Sequence, residues 1–214
     1  MTLRIARIEL RHLKMPLRFR FETSFGATLE KSFLLAQVFT DDGSSGVGEC
    51  VAEDHPYYLP ETNGTVSHVI RDFLAPLVLG HVFESPSQTI GLLSRIRGHE
   101  MAKAAIEMAV WDLFARAKSE PLWATLGATR KELIPAGVSI GLQSDTASLL
   151  KRVSAEVAAG YRRIKIKIKP GADVELARAI RKEFPKVLLM VDANSAYTLK
   201  DAEHLREFDA FNLM

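Results

Sequence analysis

The chain has 214 residues, 47% of them hydrophobic, with a formal net charge of +2, which is enough for one large core or two small ones. With no block of like charge it offers nothing to nucleic acid or an acidic membrane surface, and its single cysteine, Cys50, excludes an internal disulfide and suits a reducing compartment. The N-terminus, MTLRIARIELRHLKMPL, alternates apolar and charged residues without an uninterrupted apolar run, so neither a signal peptide nor a membrane span is expected and the protein reads as soluble and cytoplasmic.

Residues 3–10 alternate as a strand, and residues 32–40 with 46–51 read as a hairpin about the turn Asp41-Asp42-Gly43-Ser44-Ser45. Between them lies LRFRFETSFG, residues 17–26, where Phe19, Phe21 and Phe25, with Phe33 further on, crowd a segment carrying turn residues at Ser24 and Gly26. These rings are either plain core or the apolar side of a mobile flap that closes over a ligand. Helical periodicity predicts helices over residues 65–79, 86–97 and 101–118, the last with Ala105, Met108, Ala109 and Leu113 on one stripe and Trp111 and Phe114 nearby. His99, Glu100, Glu107 and Asp112 have no metal-ligand spacing and read as helix-surface ion pairs or caps. His55, His68, His81 and His204 are scattered and carry no pattern.

From Leu133 the texture changes. Strand-like segments at residues 136–140, 163–168, 187–191 and 211–214 alternate with helical ones at 145–159, stopped by Gly160, at 173–184, with Asp173 as N-cap and Pro185 just beyond, and at 199–208, after a Thr198-x-x-Asp201 capping pair. Such βα repetition belongs to a doubly wound sheet or a (β/α)8 barrel. No G-x-G-x-x-G or Walker pattern follows a strand, which argues against nucleotide binding.

The densest signal is RIKIKIKPG, residues 163–171. Successive side chains of a strand point to opposite faces, so Ile164, Ile166 and Ile168 share one face and Lys165, Lys167 and Lys169 the other. Alone, a lysine row is also what a solvated edge strand shows. Here, however, a helix and the apolar run Val187-Leu188-Leu189-Met190-Val191 follow, closing on Asp192, and a βαβ unit has buried parallel strands. Lysines pointing into such a sheet need partners, because an unpaired buried ammonium is costly.

FETSFG at residues 21–26, GVGEC at 46–50, HPYYLPET at 55–62, GHEMAKAAIEMAVWDL at 98–113, GVSIG at 137–141, the K-x-K of Lys165-Ile166-Lys167 and VDANSAYTL at 191–199 run in order over nearly the whole chain. Together they resemble the enolase superfamily, muconate-lactonising-enzyme subgroup, and most closely the o-succinylbenzoate synthase/N-acylamino acid racemase family. The resemblance implies an α/β protein: an N-terminal α+β capping domain, residues 1–130, followed over residues 131–214 by the first three βα units and the start of the fourth strand of a (β/α)7β TIM-like barrel, incomplete in this chain. It also implies that Lys167 is the acid/base on one face of the substrate and Lys165 the first lysine of its motif. Asp192 matches the first of three carboxylates holding one Mg2+, with Mn2+ as a substitute. Asn194 and Ser139 fall where relatives face the substrate, and Phe21, Thr23, Ser24 and Phe25 lie in the capping loop that selects it.

The implied chemistry is Mg2+-dependent removal of a proton α to a carboxylate, in the dehydration that yields o-succinylbenzoate for menaquinone synthesis, with N-acylamino acid racemisation beside it. Such a reaction needs a cation at the carboxylate oxygens and a base at the carbon, a pairing for which enolase-superfamily sites are a standing example. A lysine works as a base only when partly neutral, which a second cation two residues away favours. The implied partners are a small-molecule carboxylate and, at full length, further copies of the chain. Dipeptide epimerisation and muconate cycloisomerisation in the same superfamily are alternatives, and a Schiff-base aldolase using Lys167 is one from another class. About 80 residues follow Leu133, whereas a complete barrel takes roughly 250. The chain therefore reads as the front of a longer enzyme, inactive by itself, with the other metal ligands and a second lysine expected beyond Met214.

Overall fold

The structure is a computed structural model that describes residues 1–129 and 133–214. The boundary expected between residues 130 and 131 lies outside the described residues. The fold is mixed α/β and divides into two compact units, Met1–Pro16 with Glu30–Glu132 and Leu17–Leu29 with Leu133–Met214. No helix among the described residues is long and apolar enough to cross a membrane.

In the first unit β1 (Leu3–Arg4) pairs with β5 (Val82–Phe83), while β2 (Arg7–Thr23), β3 (Gly26–Phe39) and β4 (Ser45–Cys50) are neighbours in one sheet, β3 and β4 antiparallel. The β3–β4 turn is closed by Asp42, whose Oδ1 accepts from the Thr40 hydroxyl at 2.5 Å and from the Ser44 N–H at 3.0 Å. Three α-helices precede the longest one: α1 (Asn63–Val69), α2 (Ala75–Val78) and α3 (Gln88–Leu93). The single helix expected over 65–79 is interrupted at Ile70–Leu74 by a π-helical turn, which apolar spacing alone does not distinguish from α.

The core of this unit is β4 laid on α4 (Glu100–Ala117). A Cβ on Gly48 would lie 1.9 Å from the Ala105 carbonyl oxygen, and one on Gly46 would lie 2.2 Å from that of Ala109, so the GVG of β4 lets strand and helix backbones touch. The buried side of α4 is Ala102, Ala105, Ile106, Ala109, Val110 and Leu113. Met108 does not join it, being 43% exposed, because at about 100° per residue it falls well off a stripe centred on Ala109 and Leu113. The helix start is held by Glu61, whose carboxylate accepts from the N–H groups of Met101 at 2.9 Å and Ala102 at 3.1 Å, satisfying orphan donors where negative charge is favourable. A short α5 (Leu122–Thr125) follows.

In the second unit β6 (Gly137–Ile140), β7 (Arg163–Lys167) and β8 (Leu188–Asp192) form a parallel sheet in that order, joined by α6 (Thr146–Ala158) and α7 (Val174–Glu183). Asp145 caps α6 by accepting from the Ser148 N–H at 2.7 Å, and Gly160 follows its end with φ +97°. Ile164, Ile166 and Ile168 are buried with Leu149, Val153, Ala177 and Ile180 of the two helices, so the isoleucine face of β7 packs on helices and the lysine face is the other one. The helix expected over 199–208 is instead three short pieces, 3₁₀ at Leu199–Asp201, α8 (Ala202–Leu205) and 3₁₀ at Arg206–Phe211. Residues 211–214 do not form the expected strand: Phe211 ends the 3₁₀ turn, and the Met214 N–H reaches the Leu189 carbonyl of β8 at 3.0 Å.

The segment read as a flap is the tip of the β2–β3 hairpin, continuous with both strands. Within the second unit it rests on the barrel strand ends, with the Leu142 N–H donating to the Glu22 carbonyl at 2.9 Å. Gly141 makes the approach feasible, since a Cβ there would come within 3.0 Å of the Glu22 nitrogen.

Candidate active site

Parallel pairing puts Lys167 of β7 directly beside Asp192 of β8, and Lys165 beside Met190. Both strands end here, so their last side chains emerge at the C-terminal edge of the sheet, where α/β folds carry their chemistry. The Lys167 ammonium is buried, 7% exposed, and donates to Asp192 Oδ2 at 2.8 Å and to Asn194 Oδ1 at 2.6 Å. Lys165 Nζ lies 3.1 Å from the same Asp192 oxygen. Two ammoniums thus share one carboxylate, which answers the cost of burying them.

Asp192 is held in turn by its neighbours. Its Oδ1 accepts from the Asn194 N–H at 2.9 Å. Burial works against its charge, but the hydrogen bonds from Lys167, the Asn194 N–H and Lys165 outweigh that and hold the carboxyl down at about 2. It is therefore a carboxylate at any ordinary pH, a hard oxygen donor of the kind Mg2+ takes. Among the described residues no group of three or more His, Cys, Asp or Glu side chains is placed to hold an ion.

The other predicted residues distribute unevenly. Ser139 is exposed and paired in register with Lys165, hence on the lysine face of the sheet. Asn194 is drawn onto Lys167 by a left-handed backbone, φ +49°, continued at Ser195 with φ +62°. Of the hairpin tip, Phe21 comes nearest, its ring 5.9 Å from Lys167 Nζ. The Ser24 hydroxyl donates to the Ala193 carbonyl at 2.7 Å. Thr23 is committed to the turn itself, its Oγ1 accepting from the Phe25 N–H at 3.2 Å, and Phe25 is 66% exposed. Phe19, also exposed, lies under the Arg152 guanidinium at 4.6 Å.

Sequence reasoning missed a second polar cluster beside this one. Asp173, 8% exposed, accepts through Oδ2 from the Tyr197 hydroxyl at 2.6 Å, and His204 Nε2 lies 2.8 Å from the same oxygen. His204 Nδ1 faces Glu207 at 2.9 Å. The only sequence signal was the Asp173 cap, since 31 positions separate it from His204.

Residues 5–127 match the family described as Mandelate racemase / muconate lactonizing enzyme, N-terminal domain, and residues 148–214 match Enolase C-terminal domain-like. The chain is 48% identical over 214 residues to the o-succinylbenzoate synthase of Geobacillus kaustophilus, covering 100% of this chain and 57% of that protein. It is 42% identical over 211 residues to the N-succinylamino acid racemase of Thermus thermophilus, covering 99% and 57% respectively. A solved enolase-superfamily member from Listeria innocua superposes with a TM-score of 0.90 at 41% identity, over 99% of this chain and 57% of the other. The chain thus spans a little over half the length of these relatives, as a capping domain and part of a TIM-like barrel. By the match that covers more than half of its residues, it belongs to the mandelate racemase/muconate lactonizing enzyme family of the enolase superfamily.

Proposed function

We propose that the full-length protein removes the proton α to a substrate carboxylate, in the dehydration that yields o-succinylbenzoate and, as a second activity, in racemisation of N-succinylamino acids. The observation that carries this reading is the convergence of Lys167, Lys165 and Asp192 at the ends of two parallel strands. In this reading Lys167 Nζ, as the neutral amine, takes the proton from the α-carbon on one face, while Asn194 Oδ1, 2.6 Å away, aims Nζ. In the dehydration that proton leaves with the departing hydroxyl as water, and in racemisation a group on the opposite face supplies the replacement proton. Lys165 adds positive charge on the same face, where a carboxylate substrate gathers negative charge as its proton leaves. Ser139 orients the substrate from the neighbouring strand, and the Phe21 ring keeps water off the Lys167 amine.

Enolase-superfamily chemistry generally depends on Mg2+, which when bound would be held in part by Asp192 and would supply the charge that makes a carbon acid removable near neutral pH. The remaining oxygens belong, in this reading, to the part of the relatives' length that this chain does not span. The reading also carries a cytoplasmic location, which the buried free thiol of Cys50 suits, and self-association at full length, which light scattering tests.

The deciding experiment assays the full-length protein with Mg2+ for o-succinylbenzoate formation and for N-succinylamino acid racemisation. Turnover of one or both supports the assignment. Turnover of neither, with activity on a dipeptide or a muconate, moves it to a sister reaction, and activity that survives EDTA overturns metal-assisted proton abstraction.

A further inference from the structure

The site described above depends on a loop held in a costly shape. Asn194 and Ser195 both sit in the left-handed region, which asparagine tolerates better than most L-residues and which serine enters at a cost. Two contacts act from within or near the bend: the Asn194 N–H donates to Asp192 Oδ1 at 2.9 Å, and the Ala196 N–H donates to the Ala193 carbonyl at 3.2 Å. Both are short-range, and neither ties the far end of the loop to the rest of the sheet.

That far end is Tyr197, and its hydroxyl is seated on Asp173, 24 positions earlier, at the start of α7. Asp173 is a buried carboxylate with three donors: the Val174 N–H at 2.6 Å on Oδ1, and Tyr197 and His204 on Oδ2. Burial opposes its charge, but the bonds from Tyr197, His204 and the Val174 N–H prevail and keep it below the usual carboxylate range. His204 has a carboxylate on each ring nitrogen, Asp173 at Nε2 and Glu207 at Nδ1. A neutral imidazole has one N–H, so filling both bonds requires the imidazolium. With Asp201 and the Tyr197 ring also facing it, His204 is held charged by Asp173 first and Glu207 second, above its ordinary range. None of these groups has a part in the proton transfer.

The geometry points to Asp173 as a positioning residue: through Tyr197 and His204 it anchors the loop 193–197 to the start of α7, and so fixes Asn194 against Lys167. This rests on the proton-abstraction reading for its consequence in turnover, but not for its structural content. The bond to Tyr197 can be removed without touching the helix cap, because Asp173 uses Oδ1 for Val174 and Oδ2 for the loop.

The test is Tyr197→Phe in the full-length protein, read by amide hydrogen exchange and by kinetics. Exchange at the Asn194 and Ala196 amides is expected to rise about tenfold or more, while Val174 and Ala177 in α7 stay as in the wild type. Turnover is expected to show kcat lowered about tenfold with KM nearly unchanged, the signature of lost alignment rather than lost binding. His204→Gln keeps a neutral donor toward Asp173 and is expected to retain the loop's protection and most of kcat. Wild-type exchange at Asn194 and Ala196 in Tyr197→Phe would overturn the proposal, as would faster exchange there with kcat unchanged. If the wild type turns over neither substrate, the functional reading fails by itself, and the exchange data still decide whether Asp173 anchors the loop.

Discussion

The two units solve the problem of packing a strand on its neighbours in opposite ways. In the first, β4 meets α4 backbone to backbone, with glycine where the carbonyls of Ala105 and Ala109 would strike a side chain, and the buried surface is almost wholly apolar. In the second, β7 gives one face to Ile164, Ile166 and Ile168 and the other to lysines, of which Lys165 and Lys167 pair with Asp192 and Lys167 also with Asn194. The difference separates stability from chemistry. Changes in the first region should unfold the protein, and removal of one lysine from the second should leave it folded and idle, because Asp192 keeps the other ammonium and the Asn194 N–H as partners.

The hardest blow to the first region is Gly48→Ala. Its new methyl would fall 1.9 Å from the Ala105 carbonyl oxygen and 2.8 Å from the Ala109 nitrogen, contacts that backbone atoms relieve only by moving apart. A loss of about 3 kcal/mol or more in chemical denaturation is expected, against a change under about 1 kcal/mol for Lys165→Met on the lysine face.

A smaller effect sharpens the comparison from the other side. Asp192 has its folded value lowered from 3.8 to about 2, so the stability it contributes is present above pH 3.8 and is lost as pH falls through 2. The loss should amount to about 2 kcal/mol. Asp192→Asn should flatten that acid limb in a pH series of denaturation midpoints, whereas a substitution in the β4–α4 contact should shift the curve without changing its shape.

Smaller again is the effect of Asp192→Asn on the metal. Replacing one carboxylate by an amide in a hard-cation site should weaken Mg2+ binding to the full-length protein about tenfold or more by calorimetric titration. Gly46→Ala, if it folds, should bind Mg2+ as the wild type does.

Much of this contrast was legible in the sequence because both halves of it follow short periods. Alternation along residues 163–168 separated isoleucines from lysines, and the spacing to Asp192 made one βα unit, so the pairing of Lys167 with Asp192 could be anticipated. The hairpin tip could not, because R-F-R-F-E-T alternates equally well as strand or as flap, and only tertiary contacts with Gly141, Leu142 and Ala193 decide. Nor could the breaks at 70–74 and 199–211, since 3₁₀ and π turns keep nearly the apolar spacing of an α-helix. His204 carried no pattern because its partner lies 31 positions away, across a helix and a strand.

The most direct test of the central claim, that Lys167 moves the α-proton, is exchange of that proton into solvent. The full-length protein and its Lys167→Ala variant would be incubated with Mg2+ and an N-succinylamino acid in D2O, and the α-proton signal followed by NMR. The account predicts loss of the signal with the wild type, and a rate lower by about a thousandfold with a Lys167→Ala variant that circular dichroism shows to be folded. Exchange by the folded variant at the wild-type rate would contradict it.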